Sequence, residues 1–181
     1  QGFGIHPKDM QIVILLQQIG LAVGAFFISP LFDRFGRRRM IILSALAFGI
    51  LTAATAFSRS IMEMAVLRGL AGLFLSGVLP AGMALISEFT PARRRATFIA
   101  ISLAGYSAGS AAGAGAALLV PSHGWQAGFL LGGVLPLLLV IPLWLWLAES
   151  LGLRATRNPH DPTIPETLRK LDPDVDLSGV T

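Results

Sequence analysis

Charged residues divide the chain into long uncharged stretches dominated by apolar side chains. These stretches cover residues 10–32, 40–58, 69–87 and 96–148. A helix needs about 20 apolar residues to cross the hydrocarbon core of a bilayer, so each of the first three predicts one crossing. The fourth is too long for one crossing, and its Pro-Ser-His-Gly turn signal at 121–124 divides it in two. The pattern therefore predicts five membrane-spanning helices, near residues 11–32, 40–58, 64–87, 96–120 and 125–148.

Basic residues lie mainly in the loops on one side of these predicted helices. They follow the first, third and fifth helices, at Arg34 and 37–39, 93–95, and 154–170. The other side carries Lys8 and Arg59. Because Lys and Arg accumulate in cytoplasmic loops, the basic loops are predicted to be cytoplasmic and the N-terminus to lie outside.

Composition narrows the functional classes. With 54% hydrophobic and 13% charged residues and a mean hydropathy of +0.70, the composition argues against a soluble domain. The net charge of +4 comes from short loop clusters, which predicts membrane lipids as partners and no nucleic acid. The absence of cysteine excludes disulfides and thiolate metal sites. We predict no metal site and no cofactor.

Three regions are expected along the chain. Residues 1–9 are predicted to be an extracellular loop, 10–148 a five-helix transmembrane bundle, and 149–181 the start of a polar cytoplasmic loop. The chain begins with Gln1, and its predicted topology places that end outside. We therefore expect an excerpt of a longer protein, with at least one helix upstream.

The loop Asp33-Arg34-Phe35-Gly36-Arg37-Arg38-Arg39 is the strongest motif. It combines an acid at a helix end, a glycine that permits positive φ, and a cluster of guanidinium groups. A simple topological anchor that contacts lipid headgroups would need the arginines but neither Asp33 nor Gly36. The motif therefore favours a specific cytoplasmic charge network.

Residues 29–38 resemble the Gly-x-x-x-Asp-Arg-x-Gly-Arg-Arg hallmark of the major facilitator superfamily, with Ser29 in place of the first glycine. The resemblance implies an all-α, twelve-helix secondary transporter, of which this chain would contain helices two to six of the N-terminal bundle. Its partners would be the missing N-terminal helix and a C-terminal six-helix half. It also implies a gating role for a set of residues comprising Asp33, Arg34, Gly36, Arg37, Arg38, Glu88 and Arg95.

Further segments resemble the aromatic acid:proton symporter branch of this family. They are Arg68-Gly69-Leu70-Ala71-Gly72, the exit from Ser87 to Arg95, the run from Trp125 to Pro136, and Ala148-Glu149-Ser150. The resemblance implies proton-coupled symport of a small organic, aromatic acid across the inner cell membrane. Sugar and other organic-anion branches share parts of these patterns, so they remain alternatives.

Polar side chains within the predicted helices are the candidates for substrate binding. Arg68 lies about one turn inside its predicted helix, where it either reaches the outer headgroups or faces a cavity. The other candidates are Gln17, Tyr106, Ser107 and Ser110. The first, third and fourth predicted helices carry these residues, so we expect them to form the cavity wall. The fifth is bulky and apolar, so we expect it to face lipid.

Glycines four residues apart predict close helix contacts. The spacing occurs at Gly20/Gly24, at Gly105/Gly109/Gly113 and at Gly124/Gly128/Gly132. Small residues at this interval let helix backbones approach in a bilayer. The alternative is that these helices slide and bend around a central pathway.

Two other classes of function compete with transport. A membrane enzyme would need paired carboxylates, a metal cluster or a nucleophile with a base, and the predicted helices offer none of these. An inactive half-transporter or helical scaffold would need only the helices. The Asp33–Arg39 motif argues against a generic scaffold.

Overall fold

The computed structural model describes residues 7–117 and 124–150, and all its regular elements there are helices. They are α1 (Pro7–Phe27), α2 (Ser29–Phe35), α3 (Arg37–Thr55), α4 (Ile61–Leu75), α5 (Val78–Phe89), α6 (Ala92–Ala117) and α7 (Trp125–Trp146). The predicted all-α class is therefore confirmed. Residues 1–6, residues 118–123 with the end of the predicted fourth helix and most of the turn, and the polar segment from residue 151 onward lie outside the described residues, so the predictions made for them stay predictions.

Prolines divide two of the predicted crossings into helix pairs. The first changes from α1 to α2 at Ile28, two residues before Pro30, and the third changes from α4 to α5 at Ser76 and Gly77, just before Pro80. A proline lacks the N–H that would bond four residues back, and its ring crowds that turn. Each pair still forms one membrane-length stretch, Met10–Phe35 and Ile61–Phe89.

A capping arrangement begins α4 earlier than the hydropathy pattern predicts. The Ser60 hydroxyl accepts a bond from the Glu63 N–H (3.1 Å), and the Glu63 carboxylate accepts one from the Arg59 N–H (2.9 Å). These bonds satisfy N–H groups that have no partner within a helix. Since α4 starts at Ile61, Arg68 lies about two turns inside the helix, deeper than the predicted single turn.

Glycines allow α1 and α4 to pack backbone against backbone. Gly20 lies against the carbonyl of Gly69, and Gly24 against the carbonyl of Leu73. A Cβ atom at Gly20 or Gly24 would collide with these backbone atoms, which cannot move aside as a flexible side chain can. The close packing predicted from the Gly20/Gly24 spacing is therefore confirmed.

A second close contact joins α3 to α7. Gly133 lies against the backbone of Gly49 and Ala53, and a Cβ atom there would come within 2.5 Å of the Ala53 nitrogen. Of the predicted 124/128/132 set, Gly128 meets nothing within 4 Å, and Gly132 makes only an ordinary contact with Thr52. The α7 contact therefore uses a glycine one position beyond the predicted series.

Helix α6 stands apart from this packing. Its main contacts are with α5 and α7, and nearly all its described side chains are exposed. The Cβ positions of Gly105, Gly109 and Gly113 meet nothing within 4 Å, so the packing predicted from their spacing is not present among the described residues. Here the four-residue spacing of glycines does not mark a contact with another described helix.

Four stretches of the described chain are long and apolar enough to cross a membrane. They are Met10–Phe35, Arg37–Thr55, Ile61–Phe89 and Trp125–Trp146. The predicted fourth crossing corresponds to α6, whose 26 residues exceed the length required. Its many Gly, Ala and Ser residues make it less apolar than the other four. The count of five crossings stays a prediction.

Candidate functional site

The turn between α2 and α3 depends on the backbone of Gly36. This residue has φ 108° and ψ 130°, a conformation that side-chain-bearing residues rarely adopt. Its N–H donates to the Phe32 carbonyl (3.2 Å), and its carbonyl accepts from the Met40 N–H (3.0 Å). The positive φ predicted at Gly36 is confirmed. The turn brings Asp33 at the end of α2 beside Arg37 at the start of α3.

Arg37 joins this turn to α5. Its Nε and Nη2 atoms lie 3.1 and 3.0 Å from Asp33 Oδ1, and its Nη1 forms an ion pair with Glu88. The Arg37 and Glu88 side chains are each 23% exposed, whereas Asp33 is 72% exposed. The Arg37–Glu88 pair is therefore the better shielded from solvent, and Asp33 leaves a carboxylate accessible at the surface.

The segment after α7 completes the arrangement. The Ser150 hydroxyl donates to Glu88 Oε1 (3.1 Å), and Glu149 Oε1 accepts from the backbone N–H groups of Arg38 (3.2 Å) and Ser150 (3.1 Å). Three separate parts of the chain thus meet through side-chain bonds. We call this set the cytoplasmic cluster, after the side of the membrane predicted for its loops: Asp33, Arg37, Glu88, Glu149 and Ser150.

An apolar core lies beside the cytoplasmic cluster. Its buried members are Phe32, Ile41, Ala81 and Leu85, from α2, α3 and α5. The Phe32 ring occupies the space where a Cβ atom of Gly77 would stand, at the break between α4 and α5. The position of α2 is therefore coupled by packing to the kink of the third crossing.

A cavity of about 390 Å³ opens between α2 and α5 next to this core. Asp33 and Arg37 line it together with Ser29, Pro30 and Pro80. The exposed Asp33 carboxylate therefore borders an open cavity.

The remaining residues of the predicted gating set lie around the cytoplasmic cluster. Arg34 is exposed, and its guanidinium lies 5.8 Å from the centre of the Phe35 ring. Arg38 donates through Nη2 to the Trp144 carbonyl (2.6 Å). Arg95 is exposed and forms no ion pair with any residue in the described ranges. The structure thus joins Asp33, Arg37 and Glu88 but leaves Arg95 outside.

Arg68 lies between α4 and α7. Its guanidinium carbon is 5.2 Å from the centre of the Phe129 ring, which also meets Trp125 edge-to-face at 5.8 Å. A cation over an aromatic face is stabilised by the ring quadrupole. The Arg68 side chain therefore contacts α7, and its two predicted alternatives, the outer headgroups or a cavity, stay predictions.

The other predicted substrate contacts lie on α1 and α6, whereas Arg68 lies on α4. The Gln17 backbone carbonyl lies against Gly72, at the α1–α4 contact. On α6, Tyr106 is 67% exposed, Ser107 donates to its own helix at the Leu103 carbonyl (3.4 Å), and Ser110 is exposed. No hydrogen bond joins any two of the five candidates within the part of the chain that is described. Their role in binding stays a prediction.

Sequence reasoning did not include Glu149 and Ser150 in the gating set. The signal was present, since Ala148-Glu149-Ser150 was recognised as a family-like end of the last helix. The contact could not be predicted from the sequence because Glu88 and Ser150 are 62 residues apart.

Within the described residues, no group of three or more His, Cys, Asp or Glu residues could hold a metal ion.

A family model and the similar curated proteins all assign the chain to the same family. Residues 1–173 match the Major Facilitator Superfamily. The chain is 35% identical over 176 residues to the 4-hydroxybenzoate transporter PcaK of Pseudomonas putida, covering 97% of this chain and 39% of that protein. It is 37% identical over 172 residues to the gallate transporter of the same species, covering 94% and 38%.

A more distant relative has a name of the same kind. The benzoate transport protein of Acinetobacter baylyi is 28% identical over 177 residues, covering 94% of this chain and 38% of that protein. The chain spans about two fifths of the length of the curated relatives it matches. The family match and the four apolar stretches describe part of a multi-pass integral membrane protein. The chain belongs to the major facilitator superfamily.

Proposed function

We propose that the protein is a secondary transporter that moves a small aromatic acid across the inner cell membrane by alternating access. The observation that carries this proposal is similarity along 94–97% of the chain to transporters named for 4-hydroxybenzoate and gallate. Both compounds are carboxylates on an aromatic ring. Proton-coupled symport is part of the proposal and is supported by the resemblance to the aromatic acid:proton symporter branch.

The cytoplasmic cluster is the gating element of this proposal. Arg37 holds Asp33 on one side and Glu88 on the other, and Ser150 ties Glu88 to the end of α7. Helices that move together need fixed contacts of this sort, whereas a gate needs a contact that can break. In this proposal the breakable contact is the one that the exposed Asp33 carboxylate makes with the C-terminal half of the protein.

Arg68 is the proposed partner of the substrate carboxylate. Its guanidinium stays charged at any working pH and can bind both carboxylate oxygens. The contact with Phe129 fixes the guanidinium against an aromatic surface. Gln17, Tyr106, Ser107 and Ser110 are the proposed further contacts. Tyr106 and both serines are exposed on α6, and such surfaces are available to a substrate or to the second half of the protein.

Uptake by the full-length protein tests this proposal. Cells expressing it should accumulate labelled 4-hydroxybenzoate, and unlabelled gallate or benzoate should compete whereas glucose should not. A protonophore should abolish accumulation if protons drive it. Competition by glucose alone would favour a sugar transporter, and accumulation no greater than that of cells without the protein would favour an inactive scaffold.

A further inference from the structure

A second pocket lies where α3 and α7 meet near the cytoplasmic cluster. Its volume is about 480 Å³, and it is lined by Arg38, Arg39, Ile42, Leu43, Leu46 and Trp144. We call it the α3–α7 pocket. Arg38 is the only one of these residues that belongs to the predicted gating set.

The lining residues change from charged to apolar along α3. Arg38 and Arg39 lie in the first turn of the helix, and Leu43 and Leu46 follow about one and two turns later. Leu43 is 57% exposed and Trp144, in the last turn of α7, is 63% exposed. Both helices are long and apolar enough to cross a membrane, so we place the pocket at the end of the crossing, where charged residues give way to apolar ones. Tryptophan is enriched at the membrane boundary.

The two arginines retain capacity to bind an anion. Arg38 uses Nη2 for the Trp144 carbonyl, and its Nε is buried without a hydrogen-bond partner within the described ranges, but its guanidinium forms no ion pair with a described residue, so its charge remains available to an anion. A buried donor is normally satisfied by protein, water or an ion. Arg39 is exposed and forms no ion pair with the described residues, in contrast to the engaged Arg37.

We propose that the α3–α7 pocket binds an anionic phospholipid of the surrounding bilayer. The phosphate accepts hydrogen bonds from Arg38 and Arg39, and the beginning of the acyl chains covers Leu43, Leu46 and the Trp144 ring. Free phosphate would satisfy the arginines but would leave the apolar part of the pocket uncovered. The combination of guanidinium groups with an exposed apolar wall therefore selects a lipid. This site is separate from the proposed substrate contact at Arg68.

Native mass spectrometry of the purified full-length protein tests the proposal. Phosphatidylglycerol and phosphatidylcholine with the same acyl chains are added separately, and inorganic phosphate is added in a parallel series. The wild-type protein should retain phosphatidylglycerol in preference to phosphatidylcholine and should not lose it to phosphate. This comparison needs no variant, so it does not depend on how a substitution affects folding.

Two single-charge variants locate the site. Arg39→Gln should weaken phosphatidylglycerol retention about fivefold, the scale expected for one basic residue at an anionic lipid surface. Arg94→Gln removes the same charge at an exposed position of α6 outside the pocket and should retain the lipid as the wild type does.

Four results would overturn the proposal. Equal retention of the two lipids would remove the requirement for an anionic headgroup, and displacement by phosphate would assign the arginines to a soluble anion. Equal losses of phosphatidylglycerol in the two variants would show diffuse charge attraction and no specific site. No loss in Arg39→Gln would indicate that another segment of the protein occupies the pocket.

Discussion

Asp33 and Glu88 are both carboxylates bound to Arg37, but their surroundings differ. Asp33 is 72% exposed, and exposed ion pairs contribute about 0–1 kcal/mol to stability. Glu88 is 23% exposed and also accepts a bond from Ser150. The two acids should therefore differ in whether they affect transport alone or transport and folding together.

Asp33→Asn in the full-length protein should lower transport while leaving its amount in the membrane and its thermal stability near those of the wild type. Glu88→Gln should lower both, with a stability loss of about 1–3 kcal/mol because a half-buried guanidinium loses a charged partner. Uptake rates and unfolding temperatures measure the two effects. Glu63→Gln makes the same charge change in the first turn of α4, where glutamine keeps an acceptor for the Arg59 N–H, and should affect neither. Normal uptake in Asp33→Asn at normal expression would reduce the Asp33–Arg39 loop to a topological anchor.

Arg68→Lys tests the proposed carboxylate contact. Lysine keeps the charge but cannot present two parallel N–H donors, so the KM for an aromatic acid should rise by about tenfold, the equivalent of one charge-assisted hydrogen bond. Leu139→Ala, at a side chain 56% exposed on α7, should change the KM little. Measuring the uptake rate against substrate concentration gives the KM of each variant for comparison with the wild type. The assignment of cavity and lipid faces is wrong if Leu139→Ala abolishes transport while Arg68→Lys keeps wild-type affinity.

At the scale of elements, α1 and α4 approach closely because glycines with no side chain lie where the two backbones meet. The Cβ atom of Gly20→Ala would enter the space of the Gly69 carbonyl, so the helices must separate. The expected loss of stability is about 1–3 kcal/mol, as for other overpacked positions. Gly128→Ala on α7, where a Cβ meets nothing within 4 Å, is the matched control. Thermal unfolding of the full-length protein in detergent measures both, and equal unfolding temperatures would show that α1 and α4 do not need this approach.

The two proline-divided crossings carry the two acids of the cytoplasmic cluster that bind Arg37, Asp33 and Glu88. Helix α2 follows the break before Pro30, and α5 follows the break before Pro80. Phe32 on α2 packs into the space left by Gly77 at the second break. The Phe32 ring therefore links the two breaks by packing, and we expect a change in either kink to move Asp33 and Glu88 together.

For the whole molecule, the orientation follows from the positions of the arginines. Single cysteines at Ser60 and Ser122 should react with a membrane-impermeant thiol reagent applied to intact cells, and one at Ala92 should not. Ser60 begins α4 at the end opposite the cytoplasmic cluster, and Ala92 begins α6 next to Arg93 and Arg94. These tests use full-length protein lacking other reactive cysteines. Labelling of Ala92→Cys from outside would reverse the orientation.

Uncharged length, a one-sided distribution of arginines and the 29–38 motif were enough to predict the helical class, the family and the positive φ at Gly36. Each of these follows from residues close together in the chain. Hydropathy also located the apolar stretches, but it did not predict the breaks at Ile28 and Ser76, because it averages over prolines. It placed Arg68 one turn too shallow, because the capping bonds of Ser60 and Glu63 extend α4 into a polar segment.

Only the tertiary structure decided which helix faces meet. The spacing Gly20/Gly24 and the spacing Gly105/Gly109/Gly113 are equivalent in sequence, yet only the first lies against another helix in the described chain. The same holds for the charges, because Ser150 reaches Glu88 across 62 residues while Arg95, seven residues from Glu88, forms no ion pair with a described residue. Sequence patterns define a helix and its side-chain chemistry, but a contact requires a partner, and the partner's position is set by the packing of the whole bundle.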